Sequence, residues 1–205
     1  MDLFEYQGKS LYQKFNINHP NSKLIKNLND LNDPVNLNFP VVVKAQVQVG
    51  GRGKAGGIKV AKDINELTQY SEEILGMDIK GHKVEILLLE EASNILEEYY
   101  ISFTLDRSEK KYLIMLSAKG GMDIEQVAEE NPHDLVKFHV SPSDKLTTST
   151  ISELINKANL NKDHEDSLSE IIENLYLMFT EGDCDLVEVN PLAITDNGVM
   201  ALDSK

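Results

Sequence analysis

Two segments of the chain alternate apolar and polar residues, and a run of glycines separates them. In the segment from Val41 to Val49, the apolar residues Val43, Ala45, Val47 and Val49 alternate with Lys44, Gln46 and Gln48. This period of two is typical of a half-buried strand. The segment after the glycines, "GIKVAK", alternates in the same way. The pattern therefore predicts a β-hairpin with a long tip, and five of the 12 glycines fall within that tip, from Gly50 to Gly57.

Other segments show the spacing of helices or of buried strands. Helical spacing appears in "LFEYQGKSLYQKF", "INELTQYSEEILG", "DIEQVAEE", "SELINKANL" and "HEDSLSEIIENLYLMFTEG". Apolar runs that predict strands are "VEILLLE", "YYISFTLD" and "KYLIMLSA". Because helices and strands follow one another without a regular βαβ rhythm, the chain is predicted to be an α+β protein with antiparallel sheets.

The C-terminal segment "ITDNGVMALD" predicts a second hairpin. Asn197-Gly198 lies between alternating residues, which is the strongest short hairpin signal. If these two residues form the loop, the numbers of paired residues sum to 395, and Leu192 faces Asp203. Because side chains alternate along a strand, Glu188, Asn190 and Asp203 then share one face.

This face is a candidate metal site. Asn190 and Asp203 would be diagonal neighbours roughly 7–8 Å apart, a gap that a hard cation can bridge. Oxygen ligands from an amide and a carboxylate favour Mg²⁺ over a softer metal. A solvated polar face is the alternative, and Pro191 interrupts the strand. The histidines show no metal-ligand spacing; they are His19, His82, His133, His139 and His164.

Composition narrows the range of functions. The 205 residues, 41% of them hydrophobic, are enough for one large domain or two small ones. The net charge of -14 argues against binding nucleic acid or an anionic membrane through bulk electrostatics. The single cysteine, Cys184, cannot form an internal disulfide, and "MDLFEYQGKS" lacks the apolar run of a signal peptide. We therefore expect a cytoplasmic protein.

One stretch departs from the acidic character of the chain. Between Pro34 and Lys62 there is no Asp or Glu, and five basic residues occur: Lys44, Arg52, Lys54, Lys59 and Lys62. This stretch contains the glycine-rich tip, so the coincidence favours a local anion site over a chance cluster on a solvated hairpin.

Two known phosphate-binding motifs do not fit the glycine-rich tip. Gly51 to Gly56 match the dinucleotide pattern G-x-G-x-x-G, but a strand-like segment follows where that motif requires a helix. A Walker A loop requires Ser or Thr where Ala55 stands, and Gly where Gln48 stands. A hairpin that covers nucleotide phosphates, as in protein kinases, remains, with a merely flexible turn as the alternative. Lys44, on the polar face of the first strand, could then reach the phosphates.

Several segments resemble the ATP-grasp region of the β-subunit family of succinyl-CoA synthetase, also called succinate–CoA ligase. They occur in order: "EYQGKSLY", "VVVKAQVQVGGRGKAGGIKV", "ILLLEEASNILEEYY", "LDRS", "GGMDIEQVAEENP", "LVEVNPLAI" and "ALDSK". The resemblance implies an ATP-grasp fold with two subdomains. The small one, with the glycine-rich hairpin as its lid, would cover residues 20–100. The larger would combine residues 1–19 with 101–205, truncated at the C-terminus.

The resemblance also implies the site residues. Nucleotide binding is implied for Lys44, Gly51, Arg52, Gly53, Glu90, Ser93 and Glu98. Mg²⁺ ligation is implied for Asn190 and Asp203, and Glu188 resembles the glutamate that steadies a phosphohistidine of the partner α subunit. The implied reaction, a step of the tricarboxylic acid cycle, transfers a phosphoryl group between ATP and that histidine. Pro20 stands where GTP-using relatives tend to carry Gln, which favours ATP over GTP.

The family's β subunit continues into a flavodoxin-like domain, whereas this chain stops soon after Asp203, so we expect a fragment. A related acyl-CoA ligase, such as one acting on malate, would have a similar nucleotide half. A non-catalytic nucleotide-binding module is a further alternative, but it could dispense with Glu188 while the sequence retains Glu188, Asn190 and Asp203 together. For a eukaryotic source, the family resemblance implies the mitochondrial matrix.

Overall fold

The computed structural model describes residues 2–32 and 36–205. Its helices are Glu5–Lys14 (α1), Ile64–Ile74 (α2), Ile124–Glu130 (α3), Thr148–Lys157 (α4) and Glu165–Glu181 (α5). Its strands are Ser22–Ile25 (β1), Val41–Ala45 (β2), Ile58–Ala61 (β3), Asp78–Ile79 (β4), His82–Lys83 (β5), Leu87–Glu91 (β6), Ile95–Asp106 (β7), Lys111–Ser117 (β8), Val136–Val140 (β9), Leu186–Thr195 (β10) and Gly198–Ala201 (β11). The strand pairs of the described residues are antiparallel, which confirms the predicted α+β class.

The chain divides into two compact units. Unit 1 comprises Met1–Gln7 and Pro20–Ser93, and unit 2 comprises Gly8–His19 and Asn94–Lys205. Within the described ranges 2–32 and 36–205, no helix is both long and apolar enough to cross a membrane.

Unit 1 is built on a four-stranded sheet in the order β1-β6-β2-β3, against which α2 packs. Leu67, Ser71 and Ile74 are the buried residues of α2, and their spacing places them on one face of the helix. Asp63 caps this helix by accepting hydrogen bonds from the backbone N–H groups of Asn65 and Glu66. The sheet carries the glycine-rich tip, because β2 and β3 are the two arms of the predicted hairpin.

Unit 2 is built on a five-stranded sheet in the order β11-β10-β7-β8-β9. Helix α5 contributes a buried stripe to the core of this unit, and its Phe179 ring lies 6.1 Å from the ring of Phe103 on β7 and 5.1 Å from that of Tyr112 on β8. Strands β7 and β10 are antiparallel neighbours in this sheet, and they carry the predicted residues Glu98, Glu188 and Asn190.

The first alternating segment forms a shorter strand than predicted. Strand β2 ends at Ala45 instead of continuing to Val49, and the Arg52 side chain donates a hydrogen bond of 3.2 Å to the Ala45 carbonyl. Lys44 and Gln46 are buried rather than solvated. The alternating pattern did not indicate the burial of these two residues, because polar side chains can also lie in an interior when they find hydrogen-bond partners there.

The predicted register of the C-terminal hairpin is wrong by two residues. Thr195 pairs with Gly198 and Leu192 with Ala201, so paired residue numbers sum to 393 and Asp196-Asn197 form the loop. The Thr195 hydroxyl accepts a hydrogen bond from the Asn197 backbone N–H and donates one to the Gly198 carbonyl, and these bonds close the turn one residue earlier. A shift of two residues leaves every side chain on its predicted face.

Candidate functional site

The glycine-rich tip of unit 1 runs from Gly50 to Gly57 between β2 and β3 and is built of turns. Gly51 and Gly56 have φ angles of 82° and 80°, a backbone conformation that other residues rarely adopt. At Gly57 a Cβ atom would lie 2.7 Å from the Ile79 side chain and 3.2 Å from the Arg52 carbonyl. A Cβ on Gly53 would make only an ordinary contact, so the fold does not require glycine at this position.

Four charged residues beside the tip form a buried cluster, which we call the unit 1 charge cluster: Glu5, Lys44, Arg52 and Glu90. Lys44 Nζ lies 3.0 Å from Glu5 Oε1 and 2.6 Å from Glu90 Oε1. Arg52 donates from its terminal nitrogen to Glu5 Oε2 at 2.6 Å. Glu5, Lys44 and Glu90 expose only 3%, 8% and 2% of their surfaces, so the two positive charges are balanced by two carboxylates away from bulk water.

The structure brings together three of the predicted nucleotide-binding residues in this cluster, namely Lys44, Arg52 and Glu90. Ser93 follows β6 at the end of unit 1 and is half-buried. Another residue, missed from the sequence, touches the tip: Lys80 donates a hydrogen bond of 2.9 Å to the Gly50 carbonyl.

In unit 2, Glu188 lies on β10 and its carboxylate is held by two neighbours. The Tyr100 hydroxyl donates a hydrogen bond of 3.1 Å to Glu188 Oε2, and Lys205 Nζ lies 3.6 Å from Glu188 Oε1. Burial raises the pKa of Tyr100 well above its ordinary value, and the charge of Glu188 raises that pKa further, while the hydrogen bond with Ser102 opposes the shift. Tyr100 therefore stays protonated and keeps donating to the carboxylate.

Asn190 is anchored by its amide. Its Nδ2 donates to the Met122 carbonyl at 2.8 Å, and its Oδ1 accepts from the Gly121 N–H at 2.7 Å. An amide oxygen has two lone pairs, so Oδ1 retains capacity for a cation. Glu98 lies against the same loop, because a Cβ on Gly121 would stand 2.5 Å from Glu98 Oε2.

Asp203 follows β11, in the segment between Ala201 and Lys205. Glu188 and Lys205 exchange both backbone hydrogen bonds, at 2.8 and 3.0 Å, and Leu192 pairs with Ala201. Along the sequence, Asn190 and Asp203 fall between these two pairs. The half-buried Asp203 carboxylate accepts from the Ser204 N–H at 2.9 Å.

The donor set of Asn190 and Asp203 suits Mg²⁺, which binds through few protein oxygens and keeps water or phosphate as further ligands. In the part of the chain that the structure describes, no group of three or more His, Cys, Asp or Glu residues is arranged to hold a metal. A metal at Asn190 and Asp203 would therefore need ligands from water or substrate.

Three residues that support the predicted sites were not found from the sequence: Glu5, Lys80 and Tyr100. Each contacts its partner over a long separation, such as the 39 residues between Glu5 and Lys44. A single carboxylate in an amphipathic helix gives no local signal that it will be buried. The resemblance did include Glu5 and Tyr100 in its matching segments, which was the one available indication.

A family model and known relatives both match this chain over nearly its whole length. The sequence matches the family model of the ATP-grasp domain over residues 2–194. The protein named succinate–CoA ligase [ADP-forming] subunit beta of Ignicoccus hospitalis is 42% identical over 204 residues, which are 99% of this chain and 54% of that protein. Its namesake from Methanocaldococcus jannaschii is 42% identical over 198 residues, which are 97% and 54%. The chain thus spans about half the length of these relatives.

Solved structures share the fold at low sequence identity. A dinucleotide forming acetyl-coenzyme A synthetase from Ca. Korarchaeum cryptofilum has a TM-score of 0.78 at 18% identity, covering 98% of this chain and 91% of that chain. An ATP citrate lyase from Methanothrix soehngenii has a TM-score of 0.75 at 20% identity, covering 98% and 49%.

Proposed function

The chain belongs to the ATP-grasp domain family, and we propose that it is the nucleotide-binding and Mg²⁺-binding part of the β subunit of an ADP-forming succinate–CoA ligase. The observation that carries the proposal is the unit 1 charge cluster, in which Lys44 and Arg52 share one carboxylate beside the glycine-rich tip. The 42% identity to β subunits over nearly the whole chain supports the choice of reaction.

In the proposed site, the glycine-rich tip is a lid over the nucleotide phosphates. Backbone N–H groups of Gly51 and Gly53 would donate to phosphate oxygens, and Lys44 and Arg52 would neutralise their charge. Glu90, Ser93 and Glu98 would contact the rest of the nucleotide, which is ATP in preference to GTP. Units 1 and 2 then correspond to the two subdomains expected from the resemblance.

Asn190 and Asp203 would hold Mg²⁺, which supplies further charge neutralisation at the phosphates when it is bound. Glu188 would orient the imidazole of a histidine on the partner α subunit. In the forward step the bond between the γ-phosphorus and its bridging oxygen breaks, a phosphorus–nitrogen bond forms at the histidine, and ADP leaves. The task of this chain is positioning and charge stabilisation.

The proposal places the chain in the cytoplasm, or in the mitochondrial matrix of a eukaryote, as part of a tricarboxylic acid cycle enzyme. Its partner is the α subunit, which would carry the phosphoryl group onward to acyl phosphate and thioester formation. Related ligases differ in the acid that they activate. A comparison of acid substrates would therefore identify the acid that this enzyme uses.

Phosphoryl transfer tests the proposal. The full-length β subunit containing this chain is mixed with its α subunit, Mg²⁺ and γ-labelled ATP, and we expect acid-labile label on the α subunit. Glu188→Gln should slow the labelling and leave ATP affinity unchanged, while Glu73→Gln, which breaks an exposed ion pair with Lys59, should label normally. A protein that binds Mg-ATP yet never labels the α subunit would be a non-catalytic module. Thioester formation with malate but not succinate would identify the sister ligase.

A further inference from the structure

Glu5 contacts both cations of the proposed phosphate site through a single carboxylate. Its Oε1 lies 3.0 Å from Lys44 Nζ, and its Oε2 lies 2.6 Å from the terminal nitrogen of Arg52. All three side chains belong to unit 1. Glu5 was not among the residues implicated in nucleotide binding, and its side chain is almost wholly buried.

Neighbouring groups fix the Glu5 carboxylate in place. Gln46 Nε2 lies 3.4 Å from Glu5 Oε2, and Gln46 Oε1 accepts a hydrogen bond from the Tyr6 N–H at 3.1 Å. Glu5 also begins α1, where the partial positive charge of the helix N-terminus favours a carboxylate. The carboxylate is therefore held by its own helix as well as by the strand that carries Lys44.

The two cations are long, flexible side chains that lose rotamer freedom when they are held in one geometry. Arg52 is further oriented by its hydrogen bond to the Ala45 carbonyl, and Lys44 by Glu90. A ligand that meets cations already in position avoids that ordering cost on binding, which strengthens its binding. One carboxylate between Lys44 and Arg52 also offsets the repulsion between two positive charges.

We propose that Glu5 is a positioning residue that holds Lys44 and Arg52 side by side, so that the phosphates of a nucleotide meet two prearranged cations. The inference rests on the proposed function and adds to it a residue that acts through the cations and does not touch the nucleotide.

A double-mutant cycle on Mg-ADP affinity, measured by calorimetry, tests this role. Glu5→Gln keeps the shape of the side chain and removes its charge. We expect it to weaken binding about tenfold, because Lys44 and Arg52 must then be ordered when the nucleotide binds. Arg52→Gln should weaken binding as well. The double variant should lose less affinity than the two single losses added together, because Glu5 acts partly through Arg52 and coupled residues are not additive.

Controls separate positioning from folding. Glu73→Gln, whose carboxylate pairs with Lys59 on the exposed surface of unit 1, should bind like the parent chain. Glu5→Asp keeps the charge and should recover part of the affinity if Glu5→Gln is poorly folded by circular dichroism.

The outcomes are distinct. Parent affinity in Glu5→Gln, additive losses in the double variant, or no recovery by Glu5→Asp would overturn the positioning role. Tighter binding in Glu5→Gln would show instead that Glu5 competes with phosphate. Absence of Mg-ADP binding by the parent chain would reject the proposed function itself.

Discussion

The hydroxyl of Tyr100 donates a hydrogen bond of 3.1 Å to the carboxylate of Glu188. Tyr100 is 1% exposed, so a buried side chain of β7 orients a half-buried carboxylate on the neighbouring strand β10. If Glu188 steadies a phosphohistidine of the partner subunit, Tyr100 determines which way its carboxylate points. The contact also links this proposed catalytic residue to the stability of unit 2.

Tyr100→Phe should change stability at high pH. The folded pKa of Tyr100 is raised, whereas in the unfolded chain the phenol ionises near its ordinary value of about 10. The stability that the protonated Tyr100 phenol contributes to the folded chain is therefore fully present below about pH 10 and is lost as pH rises towards the folded pKa. In urea unfolding between about pH 10 and 12, Tyr100→Phe should show a shallower fall in unfolding free energy than the parent chain.

Ser102→Ala, which keeps the Tyr100 phenol, should retain the steep fall of the parent chain. An unchanged slope in Tyr100→Phe would mean that the phenol ionises alike in the folded and unfolded chains. Tyr99 and Tyr176 also have raised pKa values, so some alkaline loss should persist in every variant.

The sequence predicted the secondary structure well because helix α5 and the hairpins are strongly periodic. The α+β class and the ATP-grasp fold are confirmed. The register of the second hairpin was wrong because the Thr195 side chain, and not Asn-Gly alone, closes the turn. The unit 1 charge cluster could not be foreseen, since the side-chain contacts of Glu5 with Lys44 and Arg52 cross 39 and 47 residues. The lid and the individual site residues stay predictions.

Gly120→Ala should destabilise unit 2. A Cβ at this position would overlap the backbone N and O atoms of Tyr99, which cannot move without disturbing β7. We expect a loss of about 1–3 kcal/mol or more in the free energy of unfolding, as for other overpacked positions. Gly50→Ala, where the added Cβ meets open space, is the matched control. Equal stability of the two variants would contradict the close approach of residue 120 to Tyr99.

Asp203→Ala should abolish the Mg²⁺ dependence of nucleotide affinity and leave the fold intact, because its carboxylate is half-buried at the end of the hairpin and not in the core. Calorimetric titrations with ADP, with and without Mg²⁺, measure this dependence. Circular dichroism that shows an unfolded variant would give Asp203 a structural role. A preserved Mg²⁺ effect in a folded variant would remove Asp203 from the proposed metal site.

Lys44→Ala should weaken nucleotide binding by about 1–3 kcal/mol, the loss of a charge-assisted contact. It should also lower stability, because Glu5 and Glu90 remain buried without one of their cations. Affinity is therefore compared at a temperature where thermal melts show the variant to be folded. Affinity equal to that of the parent chain would exclude Lys44 from the phosphate site.

The chain alone should not form succinyl-CoA. The phosphoryl acceptor is proposed to be a histidine of the partner α subunit, and without a positioned acceptor roughly 7–11 kcal/mol of barrier lowering is forfeited. A coupled assay with succinate, CoA and Mg-ATP should detect turnover near background. Robust thioester formation without a partner would overturn the two-subunit mechanism.

The most direct test of the central claim is calorimetric titration of the purified chain with Mg-ATP, Mg-ADP and adenosine. The glycine-rich tip and its two cations predict saturable binding of both Mg-nucleotides and much weaker binding of adenosine, which lacks the phosphates. Affinity should also fall as salt is added, because charge interactions at partly exposed sites are screened. No binding of either nucleotide, or adenosine bound as tightly as Mg-ATP, would contradict a phosphate site in this chain.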